Sequence, residues 1–470
     1  MKVALVVPEP SPKQKHGLKL NDNCAPFNLG YLASYLRLKR PDVQIRIIDG
    51  LIGMNVWNEL YQFEPDIIGV TATTAQAPSA YTLGEMLKRK RTNPFEIIKP
   101  NILTVIGGVH ASAMPQEALE YFDMVVVGEG EQTLVDIVNG YYKRGIIQGE
   151  TLPNLDDVPM PAYDLMHIEQ YLKHELTFPG LEPPVFDMVT SRGCPFNCAF
   201  CDTAHRKNPR WFSASRVIAE IEYILEHYNV GSFFFWDDEF FVNRKRLTEI
   251  SKLLKERQIK ITWGACARAN SITLETLEVA KKMGCKAIFC GYESAVPRIL
   301  KYLKSGTTTI AANEHASRLA EKAGITMGGN IIFGTPTETL EEMRQTLKWY
   351  EKQSSIKYVG FTSLIPFPGT DVYALCLKKG LLPNPVDYER FVTTNRIKEA
   401  ILIDKAVNID NYNRFLIQAI RTAWILSLLR CGRKFRSLFT DPHLWYMLIY
   451  HPVKVFRMLN CSLKHEPITC

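Results

Sequence analysis

The sequence predicts an α/β protein in three parts: a Rossmann-like doubly wound sheet, a partial (β/α)6 TIM-type barrel, and a helical C-terminal region. Three observations carry this reading. Strand-like apolar runs alternate with helix-period segments over residues 1–140 and again over 184–390, the pattern of parallel sheets covered by helices. Between the two, residues 141–183 contain Pro153, Pro159, Pro161, Pro179 and Pro183 and read as a linker. From 391 to 470 only helical spacing remains.

In the first part, strands are expected at Val3–Val7, Val43–Ile48, Ile67–Val70, Ile102–Ile106 and Met124–Val127, with helices over Leu29–Leu38 and from Thr74 to about Lys90. Ligands of doubly wound sheets sit outside the carboxyl ends of the strands. Those ends carry Thr71-Ala-Thr73, Gly107-Gly108-Val-His110 and Gly128-Glu129-Gly-Glu131. In the second part, strands fall near Val185–Val189, Ser232–Trp236, Thr262–Ala265, Ala287–Cys290, Gly329–Phe333 and Val359–Ser363. Helices near 213–228, 243–257, 273–283, 308–323 and 337–353 separate them. Six strands with a site at their carboxyl ends describe a partial barrel, by extension of the eightfold case.

A chain of 470 residues with 46% hydrophobic and 22% charged content has the composition of an ordinary globular protein. The first apolar run is too short for a signal peptide, and no stretch reaches the ~18 apolar residues of a spanning helix. Eleven cysteines in a long chain without a secretory signal point to a reducing compartment, the cytoplasm. The net charge of +7 resides in residues 405–470, where ten Lys/Arg face three acids. That segment has apolar faces at 415–428 and 444–459. It reads as a packed helical cap, with a lid over the substrate, a membrane-surface helix or an RNA-binding tail as the alternatives.

The chemistry-bearing stretch is residues 189–203, where Cys194, Cys198 and Cys201 have the spacing C-x3-C-x2-C after a strand and a turn. Closely spaced thiolates bind soft metal, and a four-iron cluster held by three of them leaves one iron open. Zinc or three buried cysteines is the alternative, although zinc sites usually repeat C-x2-C pairs or add histidine. Cys266, Cys285 and Cys290 lack ligand spacing and read as small core residues.

With Phe200 in the aromatic position, this stretch resembles the radical S-adenosylmethionine (SAM) enzymes, whose signature is C-x3-C-x-aromatic-C. The resemblance implies that Cys194, Cys198 and Cys201 hold a 4Fe-4S cluster and that Phe200 lies along the adenine. SAM chelates the open iron and is cleaved to a 5′-deoxyadenosyl radical that abstracts hydrogen from an unactivated carbon. It further implies Asp237 and Asp238 at the SAM amino group, Arg268 at its carboxylate and Glu293 at the ribose. Gly329-Asn-Ile-Ile-Phe-Gly-Thr-Pro-Thr-Glu338 would support the adenine. Turn residues and helix N-caps are the plainer reading of these positions.

Residues 1–140 resemble the cobalamin-binding domain that precedes many radical SAM domains, through Leu29-Gly-Tyr-Leu, Asp66-Ile-Ile-Gly-Val, Ile106-Gly-Gly-Val-His110 and Val127-Gly-Glu-Gly-Glu131. Thr71, Thr73, Gly107, Gly108, Gly128 and Glu129 are the implied cobalamin contacts, the glycines admitting close backbone approach. A Rossmann-like fold without cofactor is the alternative. The string D-x-H-x-x-G, which supplies a histidine to cobalt, is absent: Gln14 and Lys19 flank His16, and His110 reads as a turn residue.

Two cofactor modules imply a joint reaction, methylation of an unactivated carbon via methylcobalamin and the 5′-deoxyadenosyl radical. A non-methylating cobalamin-dependent cyclase or rearrangement enzyme is the second reading, and a cobalamin sensor with a vestigial barrel the third. A methylthiotransferase would carry a second cysteine triplet near the N-terminus, where Cys24 stands alone. The resemblance implies a ferredoxin- or flavodoxin-type reductant. It leaves the substrate open among a lipid, a tetrapyrrole, a natural-product precursor and a protein side chain.

Overall fold

The computed structural model describes residues 1–11, 24–88, 102–173, 178–202, 208–391 and 407–431. They fall into two compact units. The first comprises Met1–Leu176, Phe186–Val230 and Ile365–Thr394; the second comprises Thr177–Val185, Gly231–Leu364 and Asn395–Cys470.

The first unit is built on β1 (Lys2–Val7), β2 (Gln44–Asp49), β3 (Ile67–Thr71), β4 (Leu103–Gly107), β5 (Met124–Val127) and β6 (Gly145–Gln148). All pairings are parallel, in the order β2-β1-β3-β4-β5-β6. From β1 the chain goes first to one side and then to the other, so the order reverses between β1 and β3, where such sheets bind ligands. Residues 3–7 of β1 are all buried, because helices cover both faces of a parallel sheet. Val6, Ile48, Val70, Ile106 and Val125 form one face of the core with Leu60, Phe63 and Ala80. The sixth strand falls inside the segment read as linker. Four residues, Gly-Ile-Ile-Gln, at a sheet edge are too few to show a period.

In the second sheet, β10 (Ser232–Phe235), β11 (Trp263–Ala267), β12 (Cys285–Glu293), β13 (Thr326–Phe333) and β14 (Ile356–Ser363) lie in chain order and run parallel. β7 (Val185–Met188) next to β10 completes the six strands. Sequential order with an intervening helix after each strand is barrel topology. The helices Arg244–Glu256, Leu274–Lys282, Ile310–Ala323 and Leu340–Lys352 each start at a side-chain cap, from Asn243, Thr273, Thr309 and Thr339. The helix Ile409–Cys431 closes this unit: Tyr412 donates to Ser363 Oγ (2.7 Å), and Arg430 donates to the carbonyls of Ile356 (2.9 Å) and Tyr350 (3.1 Å). The predicted segment at 444–459 lies outside the described residues, as does His16.

A short antiparallel ribbon, β8 (Ser191–Arg192) with β9 (Arg210–Trp211), stands at the foot of the cysteine stretch. Residues 186–230 and 365–394 group with the N-terminal sheet. The sequence boundary at 184 follows chain order, whereas the units follow packing.

Candidate functional site

In the first unit, Cys194, Cys198 and Cys201 are partly exposed. Gly193, at φ +89°, turns the chain out of the ribbon, and Cys201 N–H donates to Cys198 O at 3.0 Å, folding the last two ligand positions into one turn. Ala199 is buried and accepts from Val372 N–H at 3.2 Å, while Phe200 is partly exposed. Among the described residues no three His, Cys, Asp or Glu side chains converge on a single metal ion. An iron–sulfur cube takes one thiolate per iron, so its ligands need not converge on one point. The donor set, three thiols on one partly exposed turn, fits such a cluster.

Three neighbouring strand ends carry the other predicted residues of this unit. Thr71 and Gly107 are paired in register at the ends of β3 and β4. Gly108 has φ +93°, and a Cβ there would stand 2.8 Å from Thr71 Oγ1. Gly128 has φ +92° with nothing within 4 Å of its Cβ position, and its N–H donates to Ser112 Oγ at 3.0 Å. Thr71 Oγ1 accepts from Asn28 Nδ2 at 2.7 Å, and exposed Thr73 opens a capping box with Gln76. Glycine backbone and hydroxyls without bulky side chains on adjacent strand ends fit a flat macrocycle.

Glu129 is engaged on both oxygens. Arg210 donates to Oε2 at 3.2 Å and also to Oε1, and Arg192 Nη1 lies 3.3 Å from Oε2. Arg192 also donates to Glu131 Oε1 at 2.6 Å. His110 is fully buried: Nε2 meets Tyr81 Oη at 2.9 Å, Nδ1 meets Thr74 Oγ1 at 3.4 Å, and the Tyr388 ring stands edge-on at 4.7 Å. Burial holds its pKa down at about 4, so it is a neutral packed ring, and it lies in the short helix Val109–Ala113 rather than in the turn that the glycine pair suggests.

In the second unit the predicted residues sit at the carboxyl ends of β10, β11 and β12. Asp237 is buried with Arg246 Nη1 at 3.8 Å, whereas Asp238 is exposed. Glu239, next to them, is buried and accepts from the N–H groups of Arg268 (2.7 Å) and Phe241 (3.2 Å). Burial pushes its pKa up to about 7. Arg268 donates to Thr307 Oγ1. Glu293 ends β12 at φ +58° and is paired with Lys304 at 2.7 Å, both side chains nearly fully buried. At the end of β13, Glu338 Oε2 accepts from Gly334 and Thr335 N–H at 2.9 and 3.1 Å. Cys285 and Cys290 are buried, and desolvation pushes the Cys290 thiol up to about 12 and that of Cys285 further, as core residues require.

The sequence assigns no role to Arg192, Arg210, Glu239 or Lys304, and Glu131 enters it only as the end of a motif. Lys304 lies in an unremarkable Leu-Lys-Ser-Gly run, and only its burial distinguishes it. Arg192 adjoins the cysteine motif, and that adjacency was the one available signal.

A doubly wound domain with open glycine strand ends, a three-thiol turn, and a barrel-type sheet with charged groups at its strand ends define a class: radical enzymes that pair an iron–sulfur cluster with a second cofactor domain. Residues 188–350 match the radical SAM superfamily, and residues 17–138 match the B12 binding domain. The chain is 32% identical over 409 residues to an uncharacterised methyltransferase of Pyrococcus horikoshii, covering 81% of this chain and 84% of that protein. It is 29% identical to the anaerobic magnesium-protoporphyrin IX monomethyl ester cyclase of Cereibacter sphaeroides, covering 77% of this chain and 61% of that one. Among solved structures, a radical SAM methyltransferase of Kitasatospora setae with cobalamin and a [4Fe-4S] cluster bound shares the fold, with TM-score 0.63, 17% identity and 90% and 88% coverage. The chain belongs to the radical SAM superfamily, in the group that carries a B12 binding domain. Its cofactors are a 4Fe-4S cluster, SAM and cobalamin. No helix among the described residues is long and apolar enough to cross a membrane.

Proposed function

We propose that this enzyme transfers a methyl group to an unactivated carbon, using both cofactor modules in one reaction. The observation that carries this is the packing of the cysteine turn in the same compact unit as the open glycine strand ends. When bound, the cluster supplies the electron that cleaves SAM to a 5′-deoxyadenosyl radical, and cobalamin supplies the methyl group. Cys194, Cys198 and Cys201 hold the cluster, and Phe200 flanks the adenine. Thr71, Thr73, Gly107, Gly108 and Gly128 would hold cobalamin. Asp237, Arg268 and Glu293 orient SAM, with Asp238 as the exposed member of the set. Both ring nitrogens of buried His110 face protein hydroxyls, which supports a cobalt without this imidazole as ligand. The partly exposed thiols of the cysteine turn and the demand for electrons each turnover favour a reducing compartment, the cytoplasm, with a ferredoxin- or flavodoxin-type donor.

The relative named as a cyclase supports a second reading, oxidative cyclisation without methyl transfer. SAM labelled in its methyl group separates the two in extracts supplied with the reconstituted enzyme. Label in a carbon-bound methyl group of a product is expected. A dehydrogenated or cyclised product without label would replace methylation with the second reading.

A further inference from the structure

The ribbon at the foot of the cysteine turn should not hold by itself. It has two residues per strand, and two-stranded pairs of that length are unstable alone. Its cross-strand partners are Arg192 and Arg210, and like charges directly opposite one another destabilise a pair. Both guanidiniums close on Glu129, which stands between them, and Arg192 reaches on to Glu131. The arginine side chains are only 19% and 17% exposed, and those of Glu129 and Glu131 18% and 4%. The two glutamates belong to the turn after β5 that offers the open Gly128. The backbone of that turn is pressed from behind, since a Cβ on Gly149 would stand 1.9 Å from Glu129 O. Arg192 also lies over the Tyr31 ring at 5.2 Å, whose hydroxyl donates to Val189 O at 3.1 Å.

We propose that Glu129 and Glu131 with Arg192 and Arg210 form a clamp that fixes the stem of the cysteine turn to the strand end beside cobalamin. Glu129 then acts as a positioning residue on the cysteine turn, and not as a cobalamin contact. The clamp sets where SAM, held at the cluster, presents its methyl group to the B12 domain. This rests on the cofactor assignments above.

Two measurements on the full chain test it. In apoprotein, amide exchange at Phe212, whose N–H donates to Thr190 O at 3.1 Å across the stem, should quicken about tenfold or more in Glu129→Gln and Arg210→Gln, as local opening becomes easier. Arg210→Lys, which keeps the charge but not the fork, should lie between them and wild type. In reconstituted protein, Arg210→Gln should lose about tenfold in S-adenosylhomocysteine, the product of methyl donation, while deoxyadenosine falls less than about twofold. Wild-type exchange at Phe212 in both variants would overturn the clamp, and with a normal Arg210→Gln product ratio would return Glu129 to the cofactor. Equal loss of both products in Arg210→Gln would overturn the positioning role. Wild-type protein that binds no iron or cobalamin would instead sink the cofactor assignments, while the exchange arm would still decide the clamp.

Discussion

The buried pair of Lys304 and Glu293 allows a sharp energetic test. At 2.7 Å and an effective dielectric near 20, the gross attraction is about 6 kcal/mol, most of it offset by taking two ions out of water. The net value of the pair is therefore small, but either ion left alone is expensive. Lys304→Met takes the ammonium from beside the Glu293 carboxylate and should cost about 3–5 kcal/mol, and Glu293→Gln, which takes the carboxylate charge from beside Lys304, should cost a similar amount. The double variant removes both ions of the pair, so its loss should be about 2 kcal/mol or less, and the coupling energy should be at least about 4 kcal/mol. Thermal unfolding of SAM-free protein reads this directly, at about 2–4 °C per kcal/mol for a unit of this size. Working without SAM separates the pair's structural cost from any contact of Glu293 with the ribose. Single losses that simply add in the double variant would refute the coupling.

Cys198→Ala should abolish deoxyadenosine formation and lower bound iron, because two thiolates hold a site-differentiated cluster poorly; full deoxyadenosine yield would remove the cluster from this turn. In the Co(II) form of the holoenzyme, electron paramagnetic resonance should show no nitrogen splitting that disappears in His110→Ala, since both ring nitrogens are committed. Glu338, pushed by burial from 4.5 up to about 7, binds a proton in the folded chain that it has lost in the unfolded one between those values. Stability therefore falls as pH rises through that window, and Glu338→Gln should exceed wild type by up to about 3 kcal/mol at pH 8 and match it near pH 4. Glu239, shifted to the same value, keeps part of the slope in that variant, and equal midpoints at pH 8 would contradict the burial argument. Truncation after 404 removes Phe415, Leu416, Ile425 and Leu426 from the second unit, each worth roughly 1.5–3 kcal/mol when buried. The shortened chain should aggregate, and a soluble, folded one would show that this helix is dispensable.

Much of this protein is legible in its amino-acid sequence. Val3–Val7 and Met124–Val127 announce buried parallel strands because a strand covered on both faces must be apolar throughout. The thiol spacing of 194, 198 and 201 is local chemistry on a single turn, so the chain writes it out directly. The barrel strands could be placed to within a few residues for the same reason: each is a short-range pattern bounded by turns. What the tertiary structure decided is which distant residues meet. Residues 186–230 fall in the compact unit that holds the N-terminal sheet, although the sequence breaks at a proline-rich segment just before them. Glu129, taken from sequence as a cofactor contact, meets Arg192 and Arg210 from 63 and 81 positions away. Lys304 finds Glu293, and His110 withdraws beneath Tyr81 and Tyr388. Periodicity records the burial of a face but not the partner across it. A charge becomes an ion pair or an exposed group only once packing has removed the water around it.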